Sequence, residues 1–226
     1  MVRQIVTVRL YDFLALRDHG RVRKLFGTRT HMQEIIHFIL EVDKLKNVSR
    51  KVRPVGLDRY ENSAEHSWQL GLFATSLAPY AEPNTDINHV IRMLLVHDIG
   101  EIDTGDTFVF VQGGWDERKA AELIAVKRIF GLLPQNQAAA FLELWEEFEL
   151  SQTPEARFAN SVDRAMPVLL NLANNGGSWL ENGVSYERVV GRVGPQINEG
   201  CPALWDYIEE QLKDANRNGW FGIPIS

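Results

Sequence analysis

Cysteine is almost missing from this chain: Cys201 is the only one in 226 residues. An internal disulfide and a multi-cysteine zinc site are therefore excluded, and a reducing, cytoplasmic setting is expected. Positive charge is also in short supply, with 24 Lys and Arg against 30 Asp and Glu and a net charge of −6. That balance argues against a broad nucleic-acid or membrane-binding surface, although a small phosphate-bearing substrate needs only local positive charge. Long apolar runs are missing as well. The opening ten residues are interrupted by Arg3 and Arg9, too often for a secretory core or a membrane span. No internal repeat, low-complexity tract or long linker divides the chain.

What the chain does have is helical periodicity, enough for one all-α domain with a sizeable core. Residues 1–30 are the exception and read as an N-terminal arm. Val6, Val8 and Leu10 alternate like a short strand, and the stretch from Arg17 to Arg23 is basic. From His31 to about Leu45, Met32, Ile35, Ile36, Ile39 and Leu40 recur at helical spacing. His37, inside this helix, is expected to be structural or exposed. A basic loop from Asn47 to Asn62 follows, with Arg50, Lys51, Arg53 and Arg59 around Pro54 and Gly56. Asn62, with Glu65 three residues on, has the form of a reciprocal helix cap, so His66 lies in the first turns of a helix reaching about Ala78. Asp86 opens the next helix, which carries Ile87, Val90, Ile91, Leu94 and Leu95 toward His97.

Beyond Asp106, the segment Thr107–Gly114 is expected to be a short strand or a flap, with two glycines as a hinge. Helices are expected from Trp115 to Leu132 and from Gln135 to Glu149, the acidic run Glu143–Glu149 forming a solvated face. Pro154 suits the first turn of another helix. That helix has an apolar stripe of Phe158, Val162, Ala165, Leu169 and Leu172, with Asp163 at its border and a bend expected at Pro167. A glycine-rich turn and helices around Val184–Val193 and Pro202–Ala215 complete the pattern. The expected division is an arm (1–30), a core (31–175) and a C-terminal helical extension packed on that core (176–226).

The densest chemistry lies in Leu94–Asp106, where an apolar run ends in the adjacent pair His97-Asp98. Glu101 lies four residues past His97 and three past Asp98, so all three can edge one helix face. Taken alone, the pair fits a buried His–Asp hydrogen bond just as well. Adding His66 and the distant Asp163 gives two imidazoles and two carboxylates on three helices, in the order H…HD…D. Such a set suits one divalent transition metal with positions left for water and substrate. Mixed N and O donors favour Mn, Fe, Co, Ni or Zn over Ca, with Mg less natural.

These stretches resemble the HD-domain metal-dependent phosphohydrolases, and within them the 5′-deoxynucleotidases. The resemblance is carried by Glu61-Asn62-Ser63-Ala64-Glu65-His66-Ser67, by His97-Asp98-Ile99-Gly100-Glu101 through Thr104-Gly105-Asp106, by Leu144-Trp145-Glu146-Glu147-Phe148-Glu149, and by Asn160-Ser161-Val162-Asp163. It covers roughly residues 32–172. It implies a single-domain HD-type helical bundle with a metal site between helices. His66, His97, Asp98 and Asp163 would be its ligands, Glu101 the catalytic acid that orients or activates water, and Asp106 the acid near a sugar hydroxyl. The phosphate-contacting position falls in the loop with Arg50, Lys51 and Arg53, where this chain lacks the Trp that accompanies it in the nucleotidases. A homodimer acting on a small phosphorylated substrate, a nucleotide, is what the resemblance implies. Its alternatives are an HD phosphohydrolase acting on another phosphate ester, a metal-binding nucleotide sensor without turnover, and a helical interaction protein in which His97 and Asp98 only satisfy each other.

Overall fold

The computed structural model describes residues 30–223, and residues 1–29 of the arm, with the strand expected at Val6–Leu10, lie outside them. Among the described residues there is no strand, only an isolated antiparallel bridge between Ser49 and Asn62. The helices are α1 (His31–Val42), α2 (Ser63–Leu77), α3 (Ile87–Val96), α4 (Glu101–Thr104), α5 (Trp115–Phe130), α6 (Gln135–Leu150), α7 (Pro154–Ala173), α8 (Gly177–Glu181), α9 (Tyr186–Gly200) and α10 (Pro202–Arg217).

Helix α3 is buried by its neighbours. Val90, Met93 and Leu94, spaced three and four apart, have no exposed surface, and α2, α6 and α7 pack around them. The spacing places all three on one face, and their burial fixes the direction in which the helix delivers His97. Helix α7 is the second axis of the fold, touching α2, α3, α6, α9 and α10. Thr153 caps it and Pro154 opens it. The helix also runs on through Pro167, so that proline costs a backbone bond to the Asp163 carbonyl without ending the element. Helix α10 packs on α9 and α7, and α9 lies along α7.

Two local devices aim the remaining pieces. Asn62 accepts from the backbone N–H groups of Ala64 and Glu65 while Glu65 accepts from Asn62, which is the reciprocal cap expected from the sequence. Just ahead of it, Arg50 N–H donates to the Glu61 carbonyl at 2.9 Å and Glu61 N–H donates to that of Val52 at 2.8 Å. This pinch folds the basic loop back on itself and sets Arg50 and Glu61 side by side at the start of α2.

The segment Thr107–Gly114 is neither strand nor helix. A strand or a flap is expected there, and among the described residues no strand lies alongside to pair with its backbone. Arg188 and Arg192 of α9 instead donate to the Phe110 and Val109 carbonyls, at 2.5 and 3.1 Å. The acidic run of α6 also departs from a simple solvated face. Trp145 and Phe148 are buried, and Glu147 joins His89 at 2.7 Å to Thr153 at 2.6 Å.

Candidate metal centre

Three elements bring the polar side chains together. His66 projects from the second turn of α2, His97 and Asp98 follow the last turn of α3, and Asp163 comes from the middle of α7. His66 Nε2 lies 3.1 Å from Asp163 Oδ1, and His97 Nε2 lies 3.1 Å from Asp98 Oδ1 and 3.6 Å from Asp163 Oδ1. One ligand atom from each of His66, His97 and Asp98 falls within a 4.8 Å cluster. Both histidines are buried, and Asp163 is 5% exposed.

The fit to a cation can be read from the nitrogens. His97 Nδ1 is 2.9 Å from the Leu94 carbonyl, which can only accept, so Nδ1 carries the hydrogen and neutral His97 turns a lone pair outward at Nε2. That Nε2 is buried and has no hydrogen-bond partner. A buried lone pair left unsatisfied beside two carboxylates is costly in an apolar core and well placed for a divalent ion. The same carboxylates dominate the local field. Burial pushes the His97 pKa down, but Asp98 and Asp163 outweigh it and hold the pKa well above its usual value. A cation of either kind, proton or metal, is therefore favoured there. Trp145 Nε1 donates to the His97 carbonyl at 3.1 Å, and the Phe148 ring lies 4.9 Å from the imidazole, fixing its plane.

Arg50 accounts for much of the negative charge. Its Nη1 is 2.8 Å from Asp98 Oδ2 and 3.6 Å from Asp106 Oδ1, and its Nε is 3.4 Å from Glu61 Oε2. Burial raises the Asp98 pKa, but His97 and then Arg50 overcome that and bring it to about 2. Asp163 is likewise held well below its usual range, burial being outweighed by Arg164 and the two histidines. Glu101 behaves oppositely. Burial, reinforced by Asp98 and Asp106, lifts it well above the ordinary carboxylate range, while the Ser63 hydroxyl donates to its Oε2 at 2.6 Å. Burial also raises Asp106. One cluster thus contains carboxylates held strongly acidic and one whose proton affinity is raised, the pairing that lets a site both bind a cation and exchange a proton.

The expected site residues are not all gathered here. Arg50 enters the cluster, and Lys51 lines the same cavity beside His97, Asp98, Glu101, Asp106 and Asp163. Arg53 is outside it, paired with Glu181 and stacked over the Tyr60 ring at 4.8 Å. Of the three basic residues read as phosphate contacts, Arg53 is thus the one held elsewhere, because the Ser49–Asn62 pinch ends before it and α8 captures its side chain.

Sequence reasoning assigned no role to Glu61 or Ser63. Glu61 is 1% exposed. Its Oε2 lies 3.3 Å from His66 Nδ1 and 3.4 Å from Arg50 Nε, and all three atoms are buried without an aligned hydrogen bond. Their only signal in the chain is position next to the Asn62 cap.

A family model described as an HD domain matches residues 42–205. The crystal structure of a predicted metal-dependent phosphohydrolase from Magnetospirillum magnetotacticum superposes with a TM-score of 0.81 and 39% identity, over 85% of this chain and 96% of that one. The human 5′-deoxynucleotidase HDDC2 is 27% identical over 138 residues, 61% of this chain and 66% of its own. The Xenopus laevis protein of that name is 29% identical over 140 residues, 61% of this chain and 67% of its own. The matched stretch thus spans about two thirds of the length of these curated relatives.

Proposed function

Because the chain belongs to the HD-domain family, we propose that it is a metal-dependent phosphohydrolase that converts a nucleoside 5′-monophosphate, in particular a deoxynucleotide, to nucleoside and phosphate. The observation that carries the reading is His97 Nε2, a buried nitrogen without a partner that faces Asp98 and Asp163. The names of the similar proteins support the substrate class.

His66, His97, Asp98 and Asp163 would hold one divalent ion, with Mn, Fe, Co, Ni or Zn suited to mixed N and O donors. Such an ion supplies Lewis-acid chemistry, drawing charge from a phosphate oxygen and making a water more acidic. The protein's own residues set up the rest. Glu101, held by Ser63 and lifted in pKa by burial, orients the attacking water and takes its proton. Asp106, tied electrostatically to Arg50, accepts from a sugar hydroxyl. Arg50 offsets the charge of Asp98 and Asp106, and Lys51 brings a further positive charge to the cavity wall. The homodimer belongs to the same proposal and is checked by light scattering.

The test is phosphate release from a panel of deoxy- and ribonucleoside 5′-monophosphates. Chelator-stripped protein would be reloaded with Mn, Co, Fe, Ni, Zn or Mg, with Asp98→Ala as the control. Metal-restored release from 5′-deoxynucleotides, absent in Asp98→Ala, is expected. A wild-type protein that carries stoichiometric metal yet releases phosphate from no monophosphate contradicts the proposal.

A further inference from the structure

The cavity contains a second guanidinium that the sequence pattern does not assign to it. Arg164 follows Asp163 on α7 and lines the cavity. Its Nε donates to Gln196 Oε1 on α9 at 3.1 Å, so the plane of the guanidinium is set by a helix outside the expected core. Its Nη1 is 3.5 Å from Asp163 Oδ2, too far for a strong hydrogen bond, and the side chain remains 29% exposed. The two arginines therefore differ in what they have left to give. Arg50 faces three carboxylates within 3.6 Å and is 11% exposed. Arg164 faces one at 3.5 Å and lines the cavity with its side chain 29% exposed.

A phosphate monoester near neutral pH brings up to two negative charges into a space already walled by Asp98, Asp106, Asp163 and Glu101. A divalent ion would meet part of that charge. The remainder needs a cation whose donors are uncommitted and whose planar fork matches two phosphate oxygens. We infer that Arg164, oriented by Gln196, is the side chain that grips the substrate's phosphate, while Arg50 serves to hold the carboxylates of the site in place. This rests on the phosphohydrolase reading and adds to it a specificity-determining pair, one member of which is supplied by α9. Gln196 itself lines the cavity beside Arg164.

Binding of radiolabelled inorganic phosphate to the metal-reloaded full chain, by equilibrium dialysis, separates the roles. Metal content is measured on the same samples. Arg164→Gln is expected to weaken phosphate binding roughly ten- to hundredfold, the range for losing a charge-assisted contact, with metal content unchanged. Arg164→Lys should recover part of that loss as a point charge without the fork. Gln196→Ala should show a smaller loss, because it frees the guanidinium without removing it. Unchanged phosphate affinity in Arg164→Gln, with metal retained, overturns the assignment. So does loss of metal from Arg164→Gln, which would make Arg164 a support for Asp163 only. A wild-type protein that holds metal, binds no phosphate and hydrolyses no monophosphate instead sinks the hydrolase reading, and this inference with it.

Discussion

Replacing Glu61 by Gln probes a residue that touches neither the cavity nor any expected substrate. Its Oε2 is 3.3 Å from His66 Nδ1 and 3.4 Å from Arg50 Nε, and it is 1% exposed. If His66 gives Nε2 to a cation, Nδ1 carries the hydrogen, and Glu61 is the carboxylate in reach to receive it. Carboxylate support of this kind typically contributes about ten- to hundredfold in metal affinity, or about 1.4–2.8 kcal/mol. A second cost is stability, because Arg50 loses one of its carboxylates. Removing one partner of a buried ion pair costs about 3–5 kcal/mol when the other is left uncompensated. Here Arg50 keeps Asp98 at 2.8 Å and Asp106 at 3.6 Å, so we expect about 1–3 kcal/mol. The assay is competition for Co or Zn against a chromophoric chelator, paired with urea unfolding of the stripped protein. Full metal affinity in Glu61→Gln, with His66 still in place, would refute the support role.

Further outcomes follow from the same geometry. Glu101→Gln should retain metal and lose turnover, checked by elemental analysis beside the phosphate assay; undiminished turnover would remove Glu101 from the chemistry. Burial first, then Glu149 and Asp98, raise the Glu122 pKa from 4.5 to about 7. Folding therefore takes up a proton there between those values, and its stabilising effect is complete below pH 4.5 and gone above 7. Glu122→Gln lacks that loss, so its stability relative to wild type should grow from pH 5 to pH 8 by about 1–2 kcal/mol after allowance for solvent screening. A pH-independent difference between the two unfolding curves would contradict this. Gly200→Ala would set a Cβ 2.0 Å from the Arg157 carbonyl oxygen and 2.9 Å from Ser161 Cβ. Calorimetry should show a loss of about 3 kcal/mol or more, since backbone cannot yield as a side-chain tip does.

The elements that could be read from the chain were those written in local chemistry. The Asn62–Glu65 cap, the Asp86 cap of α3 and the Pro154 start of α7 each involve residues within one turn, and all three occur. The set His66, His97, Asp98 and Asp163 was legible through its H…HD…D order and the resemblance to the HD-domain family, and their side chains lie within 3.1–3.6 Å of one another in pairs. The supporting contacts were hidden by sequence distance. Ser63 reaches Glu101 across 38 residues and Trp145 reaches the His97 carbonyl across 48, and no periodicity encodes either. Of the two readings of Thr107–Gly114, strand or flap, the strand is not formed, because pairing needs a second strand alongside and here Arg188 and Arg192 supply the donors instead. Arg53 lay within three residues of Arg50 but was taken by Glu181, 128 positions away. Helix α9 reaches Gly200, through Pro195, rather than ending near Val193, and that extra length puts Gln196 on Arg164.

The central claim is that one divalent ion occupies the space between α2, α3 and α7. Anomalous diffraction from crystals soaked in Mn or Co, recorded at the metal edge, locates it directly. A single strong peak bounded by His66, His97, Asp98 and Asp163 is expected, lost in Asp98→Ala crystals. A peak elsewhere, or none at saturating metal, would contradict it.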